Sequence, residues 1–147
     1  MIAQLSDADL DDHVWIRLVS RLDLHSQPQI EALHPVVQAW LVTRLFEWEV
    51  GNGGLRQYFL NFDAPWLLAL IARGYTVLGL DGQRRVVEEQ IAQIAFADGE
   101  RQLRTRQRQH PWAPPAESQL DAYDELITNH DDLRVETVRA NPELFAG

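Results

Sequence analysis

The chain has 147 residues, 46% of them apolar, and 22 Asp and Glu against 13 basic residues give it a net charge of −9. That suits one domain with a proper core and excludes global disorder, while the lack of any apolar run near the roughly 18 residues of a membrane span excludes a transmembrane helix. Cysteine is absent, which excludes disulfides and thiolate metal sites, and lysine is absent too, so every basic residue is an arginine.

Met1–Asp12 has no basic n-region and turns acidic from Asp7, so it does not read as a signal peptide; the cytoplasm is the expected location. Ser6 with Asp9 forms an acidic variant of a helix-capping box. Asp7, Asp9, Asp11 and Asp12 then fall near a helix N-terminus, where the macrodipole favours negative charge. Val14, Leu18 and Leu22 recur every four residues, which predicts an amphipathic helix ending near Leu24. Gln27-Pro28 predicts a break or a short turn.

Pro35 suits the first turn of a second helix, expected at about 35–50. Val37, Trp40, Leu41, Leu45 and Trp48 form one apolar stripe, and Phe46 and Val50 lie opposite, so this helix should be central in the fold. Gly51-Asn52-Gly53-Gly54 stops it with residues that accept positive φ. A short helix restarts at once, carrying Leu55, Tyr58, Phe59 and Phe62. Asp63 and Pro65 open the next helix, which runs past Gly74 to Gly79.

Asp81-Gly82 is a turn and cap, and a helix over Gln83–Ala97 follows, with a continuation to about Arg108 open. His110-Pro111-Trp112-Ala113-Pro114-Pro115 is a loop, since prolines this dense exclude a helix. Ser118 caps a short helix with Leu120, Tyr123, Leu126 and Ile127. A last helix, about Asp132–Ala140, stops before Pro142. No segment alternates at period two. The expected fold is therefore all-α, a single domain over residues 1–147 built as a compact bundle of about seven short-to-medium helices, with a glycine kink after the central one.

Charge is unevenly placed. Asp7–Asp23 holds five acids against two arginines, and Glu117–Glu143 holds eight against two. Between them, Arg101, Arg104 and Arg108 share a helical face that reads as pairing with acids of a neighbouring helix or subunit. Such a balance repels nucleic acid and attracts basic partners. The candidate partner-binding acids are Asp7, Asp9, Asp11, Asp12, Asp121, Asp124, Glu125, Asp131 and Asp132.

Catalytic chemistry finds little support. Ser6, Ser20, Ser26 and Ser118 sit in no nucleophile-elbow context. The Gly51–Gly54 turn is followed by Leu55-Arg56, so it is no phosphate-binding loop. His130-Asp131-Asp132 reads as a solvated turn with a helix cap, and no metal or cofactor is expected. Glu47 and Glu49, two apart on a helix, diverge and form no carboxylate dyad.

The sharpest local feature is Glu49-Val50-Gly51-Asn52-Gly53-Gly54-Leu55-Arg56-Gln57-Tyr58-Phe59-Leu60-Asn61. Gln57 and Asn61 are i, i+4 neighbours with Gly54 on the same stripe. Two amides beside a glycine turn can hydrogen-bond exposed backbone and lock the kink; the alternative is a small polar pocket.

Glu49, Val50, Asn52, Gly53, Gly54, Gln57, Tyr58, Phe59 and Asn61 match the signature of the DNA-mimic protein C-terminal domain family, which the chain resembles over most of residues 31–145. Gly51 and Leu55 depart from its usual pattern without breaking it. The resemblance implies an all-helical fold and a homodimer. The member that gave the family its name is an acidic dimer that imitates the charge pattern of DNA and occupies a transcription factor, while most relatives have no assigned role; net charge −9 and the acid-rich ends fit such mimicry here, and the arginines at 101–108 count against a uniformly DNA-like surface.

The function that fits is an acidic, non-enzymatic binding protein that sequesters a basic DNA-binding protein or regulator, with no direct contact to nucleic acid or membrane. One alternative is an immunity- or antitoxin-like protein that neutralises a toxin. Another is a small-ligand protein or enzyme using Glu49, Asn52, Gln57 and Asn61.

Overall fold

The computed structural model describes residues 4–62, 64–95 and 121–146. Among them every regular element is a helix and there is no strand. The arginine face at 101–108, the proline loop at 110–115 and the caps expected at Ser118 and Asp63 lie outside the described residues.

Helix α1, Asp7–Val19, starts at Ser6, whose hydroxyl oxygen accepts the Asp9 N–H at 3.3 Å. It ends before the expected Leu24. The Ser20 hydroxyl donates to the Arg17 carbonyl at 3.0 Å and competes with the helical ladder there. Leu22 and Leu24 still pack on the core, from the linker. The Gln27-Pro28 break is a one-turn helix, α2, Gln27–Glu31, which buries Ile30.

Helix α3, Pro35–Asn61, is the centre of the molecule. Most of its hydrophobic residues are buried, on every side of the helix, Trp40, Leu41, Phe46 and Leu55 among them. Each such side chain contributes about 1.5–3 kcal/mol by leaving water. The expected stripe fails at one position, since Trp48 is 53% exposed. The backbone leaves helical geometry at Gly53 (φ −159°, ψ 20°) and Gly54 (φ 74°, ψ 180°), so α3 is two helices meeting at a kink.

Helix α4, Pro65–Val77, packs along α3. Gly74 stays inside it because it faces α3: a Cβ there would lie 3.1 Å from Thr43 Cγ2 and 3.2 Å from the Ala39 Cα. The absent side chain lets the helices approach closely. Gln38, buried between them, donates to the Ile30 carbonyl at 2.8 Å and accepts from Arg73 at 2.5 Å, so it ties α2, α3 and α4 together.

Helix α5, Asp81–Arg85, continues through a π-helical turn, Val86–Ile91, into α6, Ala92–Ala95. Val87 and Ile91 are fully buried. A 3-10 helix, Asp121–Leu126, precedes α7, Asp131–Ala140, and α8, Pro142–Phe145. Phe145 packs edge-on against Trp40 at 5.9 Å, bringing the C-terminal end of the described chain onto the core. None of the described helices is long and apolar enough to cross a membrane.

Candidate acidic cleft

The two acid-rich ends of the sequence meet in space. Helix α1 packs against α7. A cleft of about 390 Å³ opens between them, lined by Asp7, Asp11 and Asp12 from α1 and by Asp131 and Asp132 from α7. Arg44, Arg134 and Trp48 also line it.

The aspartates are not equivalent. Asp7, Asp9, Asp12, Asp131 and Asp132 are exposed, as is Glu125. Asp11 is 8% exposed and belongs to the floor rather than the surface. Its Oδ2 accepts from Arg44 Nε at 2.6 Å, and Arg44 reaches Asp12 at 3.1 Å. Burial pushes the Asp11 carboxyl above its ordinary value, although Arg44 pulls the other way. Its Oδ1 has no hydrogen-bond partner among the described residues, and neither does Arg134 Nε.

Arginines partly offset the rest. Arg139 bonds Asp7 at 2.5 Å, and Arg134 pairs with Asp131. Desolvation acts to raise the Asp131 carboxyl, but hydrogen bonds from Arg134 and Asn129 and the arginine charges outweigh it and leave the group lowered. Asp132 accepts no side-chain hydrogen bond or ion pair among the described residues. The side chain of Asp121 lies outside what is described.

The floor is held by Glu47, a residue the sequence pattern did not single out as a hub. Its carboxylate is buried and accepts Tyr75 Oη at 2.9 Å, the His130 backbone N–H at 2.9 Å and Arg134 Nη1 at 2.7 Å. The His130 ring lies 2.7 Å from it through Nδ1. This group anchors the N-terminus of α7 to α3 and so fixes where Asp131 and Asp132 stand. Desolvation lowers the Arg134 basicity, yet Glu47 and Asp131 raise it by more. Burial and then the Glu47 charge push the Tyr75 phenol well above its ordinary range. His130-Asp131-Asp132 is thus a solvated helix start on one side and a buried anchor on the other.

The glycine motif forms a second polar group. The two amides do not bond backbone, as the spacing suggested. Gln57 Nε2 at 3.1 Å and Asn61 Nδ2 at 2.8 Å both donate to one oxygen of Glu49, which is 4% exposed. A carboxylate before the kink is thereby clamped from the helix after it. Glu47 and Glu49 do diverge, and each is buried in its own set of donors. Tyr58 lies in the core, edge-on to Phe46 at 4.8 Å, and Asn52 is exposed.

Asp124, expected as a surface acid, instead accepts the Leu55 N–H at 2.8 Å. It caps the restarted half of α3 across the turn made by Gly53 and Gly54, where a helix N-terminus favours a carboxylate. Asp124→Ala, which removes the acceptor, should therefore lower stability by about 1 kcal/mol in a urea titration. An unchanged midpoint would show that the cap contributes nothing.

A family model described as DMP19-like protein matches residues 31–141. Comparison with curated proteins and with solved structures returns no match. The matched span contains the Glu49–Asn61 motif, Glu47, Asp124 and α7 up to its end; α1, with Asp7, Asp9, Asp11 and Asp12, precedes it.

Proposed function

Because the chain belongs to the DMP19-like protein family, we propose that it is a non-enzymatic acidic protein that occupies a basic DNA-binding protein by offering carboxylates in place of DNA phosphates. The observation that carries this reading is the convergence of Asp7 and Asp12 from α1 with Asp131 and Asp132 from α7 around one cleft. Acids about 120 positions apart in sequence thus share one face, in a chain whose net charge is already −9. The family description, DNA mimic protein 19, points the same way.

The physics is that of exposed charge. Carboxylates on an open face steer a basic partner and hold it strongly at low ionic strength, and salt screens them within about 8–10 Å. A fold anchored by buried Glu47 and Glu49 keeps these acids at fixed spacings, which matching to a DNA-binding surface requires.

The test is a pulldown from the host extract at low salt. It should recover a basic DNA-binding protein that elutes as salt rises, and joint replacement of Asp9, Asp12 and Asp132 by asparagine should weaken that capture about 10-fold or more. Recovery of acidic or neutral proteins alone would overturn the proposal. A basic toxin with no affinity for DNA would replace it with the neutralising role.

A further inference from the structure

We infer that Thr128 is an acyl-acceptor site: its hydroxyl, activated by the His130 imidazole, attacks an uncharged activated ester and keeps the acyl group. The result is one covalent modification per chain and no turnover. The site lies beside the Glu47 anchor and uses none of the acids of the α1–α7 cleft.

The segment between the 3-10 helix and α7 carries Thr128 and His130 two positions apart. Gln83, buried on α5, holds its start. The amide Nε2 donates to the Leu126 carbonyl at 3.0 Å, and Oε1 accepts the Thr128 N–H at 3.3 Å. Glu47 holds its end. One oxygen accepts the His130 backbone N–H at 2.9 Å, and the other lies 2.7 Å from the ring at Nδ1. A chain pinned at both ends leaves Thr128 Oγ1 3.2 Å from His130 Nε2. Thr128 is exposed, so a small reagent reaches it.

The direction of these bonds follows from the groups. A carboxylate only accepts, so Nδ1 carries the ring proton. In the neutral imidazole Nε2 then offers a lone pair, and the donor it faces is the Thr128 O–H. The hydroxyl has a second acceptor within reach, Gln83 Oε1 at 3.2 Å. Donation to Nε2 satisfies both hydroxyl and ring, whereas donation to Gln83 leaves Nε2 unmet. Hydroxyl, imidazole and carboxylate thus stand in the order nucleophile, base and orienting group. Glu47 is a positioning residue in this set, since it acts through the ring.

The step balances without a redox partner. Thr128 Oγ1 bonds the ester carbonyl carbon while its proton passes to Nε2. The bond from that carbon to the leaving oxygen breaks, and the leaving group takes the proton from Nε2. The products are an O-acylated threonine and an alcohol. The imidazolium formed on the way is stabilised by the buried Glu47 carboxylate. Arg134, which pairs with the same carboxylate at 2.7 Å, offsets part of that help. Threonine is therefore activated enough for esters with a good leaving group and not for amides. Glu125, Asp131 and Asp132 flank the segment in a chain of net charge −9, which disfavours anionic donors.

The test treats the full-length protein with p-nitrophenyl acetate at neutral pH, follows nitrophenolate release and locates acetyl groups by peptide mass spectrometry. The chain has no lysine, so no side-chain amine competes for the reagent. Thr128 should be acetylated at least about 10-fold faster than Ser20, an exposed hydroxyl that donates to a backbone carbonyl. Thr128→Ser should keep the fast phase of release and Thr128→Val should lose it. His130→Gln should slow acetylation of residue 128 about 10-fold or more, with Ser20 reactivity and the circular dichroism spectrum unchanged. Independently of any variant, ¹⁵N spectra of the His130 ring should show the proton on Nδ1. Acetylation of Thr128 no faster than that of Ser20, a fast phase kept by Thr128→Val, an unchanged rate in His130→Gln, or a neutral ring with its proton on Nε2 would overturn the inference.

Discussion

Replacing Glu47 with alanine is expected to lower stability by about 3–5 kcal/mol, because it strands a buried arginine. Arg134 is 1% exposed, and its Nη1 donates to Glu47 at 2.7 Å. Its other recorded partner, Asp131, is half exposed and cannot replace a fully desolvated acceptor. The same deletion leaves the Tyr75 hydroxyl and the His130 backbone N–H without their acceptor. Urea unfolding of Glu47→Ala against the parent measures the effect, and a loss under about 1 kcal/mol would mean that Arg134 is not stranded by the deletion. The origin of the loss is separable. If the penalty is the stranded charge, combining Glu47→Leu with Arg134→Met should be less harmful than Glu47→Leu alone, since removing both charges removes the desolvation cost.

The second large effect is expected at Gly54. Its backbone sits at φ 74° and ψ 180°, a conformation open to glycine and strained for any residue with a Cβ. A Cβ there would also lie 2.4 Å from Asp124 Oδ2, so the carboxylate that caps Leu55 would have to move. Strain and a disturbed cap together predict a loss of about 2–4 kcal/mol for Gly54→Ala. Gly51 is the internal control. It is exposed and helical, with nothing within 4 Å of an added Cβ, so Gly51→Ala should be neutral or raise stability by up to about 1 kcal/mol. Equal effects at the two glycines would mean that the kink does not depend on Gly54.

The helical class was legible from the spacing of apolar residues and from the missing alternation. The turn after the central helix was legible from Gly51-Asn52-Gly53-Gly54. What Gln57 and Asn61 do was not, because periodicity places two amides on a stripe without showing that Glu49 turns in to meet them. Glu47 carried a usable signal. It lies on a helix apolar on both faces, between Phe46 and Val50, and such a helix has little solvent-facing surface to lend a carboxylate. Its partner Arg134 lies 87 residues away, and nothing local marks an arginine in an acidic helix as buried.

Trp48 misled in the opposite direction, since hydrophobicity alone assigned it to the core stripe. The α7 packing next to it opens a cleft rather than a contact. The meeting of Asp7 and Asp12 with Asp131 and Asp132 depends on α1 pairing with α7, a choice made by tertiary packing. The sequence announces two acidic ends; the fold makes them one face. It also removes two acids from that face, since Asp11 descends to the floor with Arg44 and Asp124 serves the helix cap.

A face proposed to take the place of DNA must compete with DNA for the same protein. The basic protein recovered from the host is bound to a labelled duplex of its own target sequence, and the present protein is added at low salt. Labelled DNA should be released as the protein is added, higher salt should suppress the release, and the Asp9, Asp12 and Asp132 asparagine variant should release about 10-fold less. Formation of a ternary complex with the DNA still bound, or equal release by the variant, would show that the face does not take the place of DNA.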